Sequence, residues 1–126
     1  MSPTIINSER VTPYRNPISH AVRTGNLVFT AGITPFKGDR MIAKGEFPAQ
    51  MRQVMDNIRT ILEDAGTALE KAVKFNVYLR DMADFSVMNE IYRSYFPDGR
   101  YPARTTMQAV LPGVDFLVEI DCIAEI

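Results

Sequence analysis

The end of the chain alternates with the period of two that belongs to a β-strand. Phe116, Val118, Ile120, Cys122, Ala124 and Ile126 put an apolar residue at every second position, with Glu119, Asp121 and Glu125 between them. Successive strand side chains point to opposite faces of a sheet, so this segment predicts a strand over 116–125 with one buried face and one face carrying carboxylates. Residues 72–80 alternate in the same way and predict a strand with Val73, Phe75, Val77 and Leu79 on its core side. Strands are also expected over 103–110 and over 19–23 and 27–31, the last two joined as a hairpin by Thr24, Gly25 and Asn26.

Between these stretches the apolar spacing changes to threes and fours. Phe47, Met51, Val54, Met55, Ile58, Ile61 and Leu62 form one stripe of an amphipathic helix, with Pro48 suited to its first turn and Gly66 to its end. Phe85, Met88, Ile91, Tyr92, Tyr95 and Phe96 form a second stripe, which Pro97-Asp98-Gly99 stops. Two helices cover only one face of a sheet of about six strands, which gives an α+β fold: a single mixed sheet with two helices on one face. The uncovered face would expose more apolar surface than monomers carry unless charged residues such as Glu119 and Arg23 line it, and a closed homo-oligomer with its sheets facing inward is the expected solution.

The whole chain of 126 residues, 1–126, is expected to form a single domain, because its length supports one sizeable core. Fourteen basic and fifteen acidic side chains give a net charge of −1 with no basic block, which argues against a nucleic-acid partner. The first ten residues lack the apolar run of a signal peptide and no stretch approaches the roughly 18 apolar residues of a membrane span, so a cytoplasmic protein with no membrane partner is expected. Cys122 is the only cysteine and lies on the apolar face of its strand, where burial disfavours the thiolate. His20 is the only histidine, which leaves neither a multi-ligand zinc site nor a Ser-His-Asp triad within reach.

Two ionisable groups on strand-like stretches suggest chemistry on a small acid. Arg104 lies in Tyr101-Pro102-Ala103-Arg104-Thr105-Thr106 and shares one side of its strand with Thr106 and Gln108; Glu119 faces away from the apolar side of the last strand. A guanidinium clamps a carboxylate through two hydrogen bonds, and a glutamate moves protons or activates water. A simple hairpin about Pro112-Gly113 would set Arg104 opposite residues near 122, about 10 Å along the strand from Glu119. That is too far for one small substrate, so the two groups are expected to converge from neighbouring subunits.

Tyr78-Leu79-Arg80-Asp81, Asp84-Phe85, Met88-Asn89, Tyr101-Pro102-Ala103-Arg104 and Val118-Glu119-Ile120 occur in an order that resembles the Rid/YjgF family of enamine and imine deaminases. Gly25-Asn26, Ala31-Gly32, Gln50, Asn57 and Ala65-Gly66 extend the likeness over most of the chain. The resemblance implies a chorismate-mutase-like fold, whose sheet order does not pair the last two strands, and a homotrimer with clefts between subunits. It implies hydrolytic deamination of a small enamine or imine carboxylate, of the 2-aminoacrylate or 2-iminopropionate type, to a 2-oxo acid and ammonia, with no metal and no cofactor. Arg104 would hold the substrate carboxylate and Glu119 would position or activate water. Gly32 and Thr106 would line the cleft, with Phe85 and Asn89 near it. Thr106 stands where many members have cysteine and Ala31 where they have serine. Tyr14, or His20 in its stead, would take the place of the family's cleft tyrosine. The rival readings are a non-catalytic trimeric module that binds a small carboxylate in the same cleft, and an endoribonuclease.

Overall fold

The computed structural model describes residues 3–126. In chain order its elements are β1 (Thr4–Ile6), β2 (Ala21–Thr24), β3 (Leu27–Thr30), α1 (Phe47–Asp64), β4 (Ala72–Leu79), α2 (Phe85–Ser94), β5 (Ala103–Gln108) and β6 (Val118–Glu125). The six strands form one mixed sheet in the order β1-β2-β3-β6-β4-β5. Every neighbouring pair is antiparallel except β4 and β5, which run parallel. A parallel pair needs a crossover, and α2 supplies it. No hairpin therefore joins β5 to β6; β4 lies between them.

The most regular alternation in the sequence became the centre of the sheet. Val118, Ile120, Cys122 and Ala124 of β6 and Phe75, Val77 and Leu79 of β4 are buried against Met51, Val54, Met55, Ile58, Ile61 and Leu62 of α1 and Met88, Ile91 and Tyr92 of α2. Removing one of these large side chains costs about 2–5 kcal/mol through lost burial and the cavity left behind. Helix α1 ends as its sequence suggests: Gly66 takes φ +90°, Thr67 N donates to Leu62 O at 2.9 Å and Gly66 N to Glu63 O at 3.1 Å. The left-handed residue after the last turn lets both carbonyls find donors.

Three local expectations change. Val73 is 45% exposed and off the core side, because an irregularity between Ala72 and Lys74 inserts an extra residue and shifts the alternation. The last strand begins at Val118, and Phe116 is buried in the turn before it, where its ring occupies the space a Cβ on Gly113 would need. The sixth strand, β1, is three residues long and pairs with β2, too short for a periodic signal.

The face without helices is mixed. Ile5, Phe29 and Met107 are exposed on it. Asp121, at its centre, accepts from Asn76 Nδ2 at 2.8 Å and Tyr78 Oη at 3.1 Å. No helix among the described residues is long and apolar enough to cross a membrane.

Candidate active site

The residues singled out from sequence gather in two places. The first lies on the helix side of the sheet edge. Arg104 sits beside the buried Phe75 in the β4/β5 register, so its side chain emerges on the side of α2. Its guanidinium carbon stands 4.8 Å from the ring centroid of Tyr92 and 5.8 Å from that of Phe85, and Nη1 lies 3.7 Å from Met88 Sδ. Aromatic faces attract the cation without neutralising it. Among the described residues Arg104 has no carboxylate partner. It lines a cavity of ≈ 360 Å³ with Asn89, Tyr92, Arg93, Tyr101 and Pro102. Thr106, on the same side of β5, holds a buried hydroxyl without a hydrogen-bond partner, and so does Tyr92. Arg104, Thr106, Phe85 and Asn89 are thus on one side of β5 and α2, around an unpaired cation.

The second place is where β3 and β6 meet. Glu119 lines a cavity of ≈ 320 Å³ with Tyr14, Gly32, Thr34, Phe36, Arg40 and Phe116 among its other walls. Gly32 is glycine because a Cβ there would overlap Glu119 Oε2. Glu119 Oε1 is buried and has no hydrogen-bond partner. Burial, with the nearby Asp121 charge added, raises the Glu119 carboxyl above the ordinary glutamate value. Tyr14 Oη donates to Gly32 O, which brings the phenol over the same glycine. Burial, with the Glu119 charge added, pushes that phenol up to about 12.

Tyr14, and not His20, occupies the cleft. His20 is 2% exposed; its Nδ1 accepts from Ser8 N at 3.0 Å and its Nε2 faces Thr12 O at 3.0 Å. Accepting at one nitrogen leaves the other to donate, so the ring is a neutral strut. It packs edge-on behind Tyr14 with centroids 5.4 Å apart. Ala31 packs against the core beside the cleft glycine.

Helix α1 braces the cleft through two buried amides. Asn57 Nδ2 donates to Thr34 O at 3.1 Å and Phe36 O at 2.9 Å. Gln50 Nε2 donates to Ala43 O and Asp115 O, both at 3.0 Å, and its Oε1 accepts from Leu117 N at 2.8 Å. Arg80 completes the support by donating from Nε to Phe116 O at 2.5 Å and from Nη2 to Gly113 O at 2.6 Å. These bonds fix the two loops on either side of Glu119. Sequence spacing makes Tyr92 core packing and Phe116 part of the last strand's apolar face, and it singles out neither Phe36 nor Arg40; Tyr92 serves the core and Arg104 together, and loop residues carry no periodic signal.

Within one protomer the two places do not meet. Arg104 is level with Phe75 and Cys122, whereas Glu119 is level with Tyr78 and Met107. At ordinary strand spacing this separates their Cα atoms by roughly 14 Å, on opposite faces. Among the described residues no group of three or more His, Cys, Asp or Glu side chains is gathered as a metal would require.

The model of the family described as Endoribonuclease L-PSP matches residues 9–126. The chain is 39% identical to a RutC family protein of Pyrococcus abyssi over 98% of each chain. It is 35% identical to the 3-aminoacrylate deaminase RutC of Acinetobacter baylyi over 100% of each. Among solved structures, a conserved Rid-family protein of Yersinia pestis superposes with a TM-score of 0.94 at 30% identity, over 99% of this chain and 100% of that one.

Proposed function

The chain belongs to the endoribonuclease L-PSP family, that of the Rid/YjgF proteins, and on that premise we propose that it hydrolyses a small enamine or imine carboxylate to a 2-oxo acid and ammonia. A relative bears the name 3-aminoacrylate deaminase, and the reading takes the corresponding chemistry for this chain, as a 2-iminopropanoate or 2-iminobutanoate deaminase. The enamine tautomerises to the imine; water adds to the imine carbon, and the resulting amino alcohol expels ammonia as its hydroxyl becomes the carbonyl. One water is consumed and one ammonia released, with no change of oxidation state.

Arg104 holds the carboxylate through paired hydrogen bonds. Glu119 takes a proton from the attacking water and returns it to the departing nitrogen; burial raises its carboxyl above the ordinary glutamate value, which strengthens it as a base. Tyr14, Gly32 and Thr106 line the site, with Phe85 and Asn89 beside the arginine. The observation that carries this reading is the Glu119 carboxyl, whose Oε2 lies against Gly32 and whose buried Oε1 has no hydrogen-bond partner. Buried acceptors are normally satisfied, so an open one in a cleft supports a place for a reacting molecule.

A substrate held by both groups requires a second copy of the chain, because Arg104 and Glu119 diverge within one. The proposal therefore includes a homotrimer with its sheets inward and its sites between subunits, in the cytoplasm, acting on a small carboxylate without nucleic acid or membrane. The exposed Ile5, Phe29 and Met107 would be covered by that assembly.

The test is the release of ammonia and 2-oxo acid from 2-iminopropionate generated in solution, with and without the protein. Acceleration over the spontaneous reaction is the expected result. Binding of a 2-oxo acid without acceleration would select the non-catalytic module, and RNA cleavage that falls with salt would select the ribonuclease.

A further inference from the structure

The cleft that holds Glu119 is lined by two cations, Arg15 and Arg40, to which the reaction above gives no task. Arg40 reaches the cleft from a tight turn in which Lys37 N donates to Met41 O at 2.9 Å and Met41 N to Lys37 O at 3.0 Å. Its backbone stands at φ +58°, alone among the non-glycine residues described. An ordinary side chain adopts that conformation only where its surroundings impose it, and such positions gather at functional sites. The guanidinium is laid over the Phe36 ring at 4.2 Å, and Nη1 donates to Pro13 O at 3.0 Å.

That arrangement aims the group and leaves most of its donors free. Of the five N–H bonds of a guanidinium one is used, and among the described residues neither Arg40 nor Arg15 pairs with a carboxylate. Glu119 is the one acid among the residues lining the cleft, and no ion pair among the described residues joins it to Arg40 or Arg15. At ≈ 320 Å³ the cavity lies within the range of small-ligand sites, more than a three-carbon acid fills.

We infer that Arg40, with Arg15 at the rim, binds a second anionic group on the substrate, so that the site selects 2-imino dicarboxylates over 2-iminopropionate. The inference rests on the deaminase reading for the reacting end: Arg104 takes the carboxylate next to the imine carbon, Glu119 serves that carbon, and Arg40 takes the carboxylate of the side chain. A guanidinium held flat by stacking is preorganised for a bidentate carboxylate.

The test compares kcat/KM on 2-iminosuccinate and on 2-iminopropionate, each generated in place by oxidation of the parent amino acid, for the native protein, Arg40→Gln and Arg15→Gln. The native protein is expected to favour the dicarboxylate, and Arg40→Gln to lower the ratio of the two constants roughly 10- to 100-fold, the value of a hydrogen bond to a charged group. Arg40 also holds Pro13, so a purely structural role would lower both constants together; a ratio unmoved by either substitution overturns the inference. A second measurement, calorimetric binding of 2-oxoglutarate against pyruvate, is expected to show the same preference and its loss in Arg40→Gln. Preferential binding without turnover of either imine would sink the deaminase reading and leave this inference standing. Turnover of both imines with no arginine-dependent preference would do the reverse.

Discussion

Arg104 and Glu119 leave the same sheet from opposite faces, with β4 lying between the strands that carry them. The cation rests on the rings of α2, while the carboxylate lies against Gly32 at the far side of β6. One small molecule cannot touch both within one protomer, so under the proposed function each chain would contribute two half-sites.

Complementation between inactive variants follows from that separation. Arg104→Ala and Glu119→Gln are each expected to lose turnover by about 10²-fold or more. Mixed after reversible dissociation in equal amounts, they should recover roughly a quarter of native activity if three copies assemble at random and each site draws on two of them. No recovery after confirmed mixing would show that the groups do not share a site.

Gly32→Ala should disable the site without unfolding the chain. The added methyl would overlap Glu119 Oε2, so the carboxylate must move. A displacement of about 1 Å costs on the order of 10² in rate. In a Glu119→Gln background the same change should cost little further turnover, since its effect passes through that side chain. Additive losses would assign the glycine another role.

The raised Glu119 carboxyl makes a prediction about stability. Its folded-state pKa lies above its unfolded value, so the folded state holds the proton more tightly; that contribution is present below the ordinary value of 4.5 and is lost as pH rises through the raised value. Glu119→Gln removes this titration. Thermal melts from pH 4 to pH 8 should show the native protein falling relative to the variant as pH increases. Parallel curves would mean that the carboxyl is not perturbed by folding.

Asn57→Leu should damage stability and the cleft together. It leaves Thr34 O and Phe36 O without their donors, at a cost of about 1–3 kcal/mol for a buried group. Denaturant titration measures the loss. Binding of a 2-oxo acid should weaken as well, because the same carbonyls set the wall beside Glu119.

Much of the architecture could be read directly from spacing. The stripe from Phe47 to Leu62 on α1 and the alternation of Val118, Ile120, Cys122 and Ala124 on β6 are local consequences of which side of an element faces the core. Cys122 also behaves as its position suggests, its thiol pushed up to about 12 by burial. Val73 escaped because a single inserted residue reverses the alternation, and β1 because three residues show no period.

By itself the sequence determined the two helices, five of the six strands and, Val73 apart, their apolar faces, and it named the side chains proposed for the chemistry, because each of these depends on neighbours along the chain. The tertiary structure decided that β5 runs parallel beside β4, that Tyr14 rather than His20 reaches the cleft, and that Arg40 lies over Phe36. Those facts depend on pairing between distant segments, settled by which strand edges and loop carbonyls find partners once the core has closed.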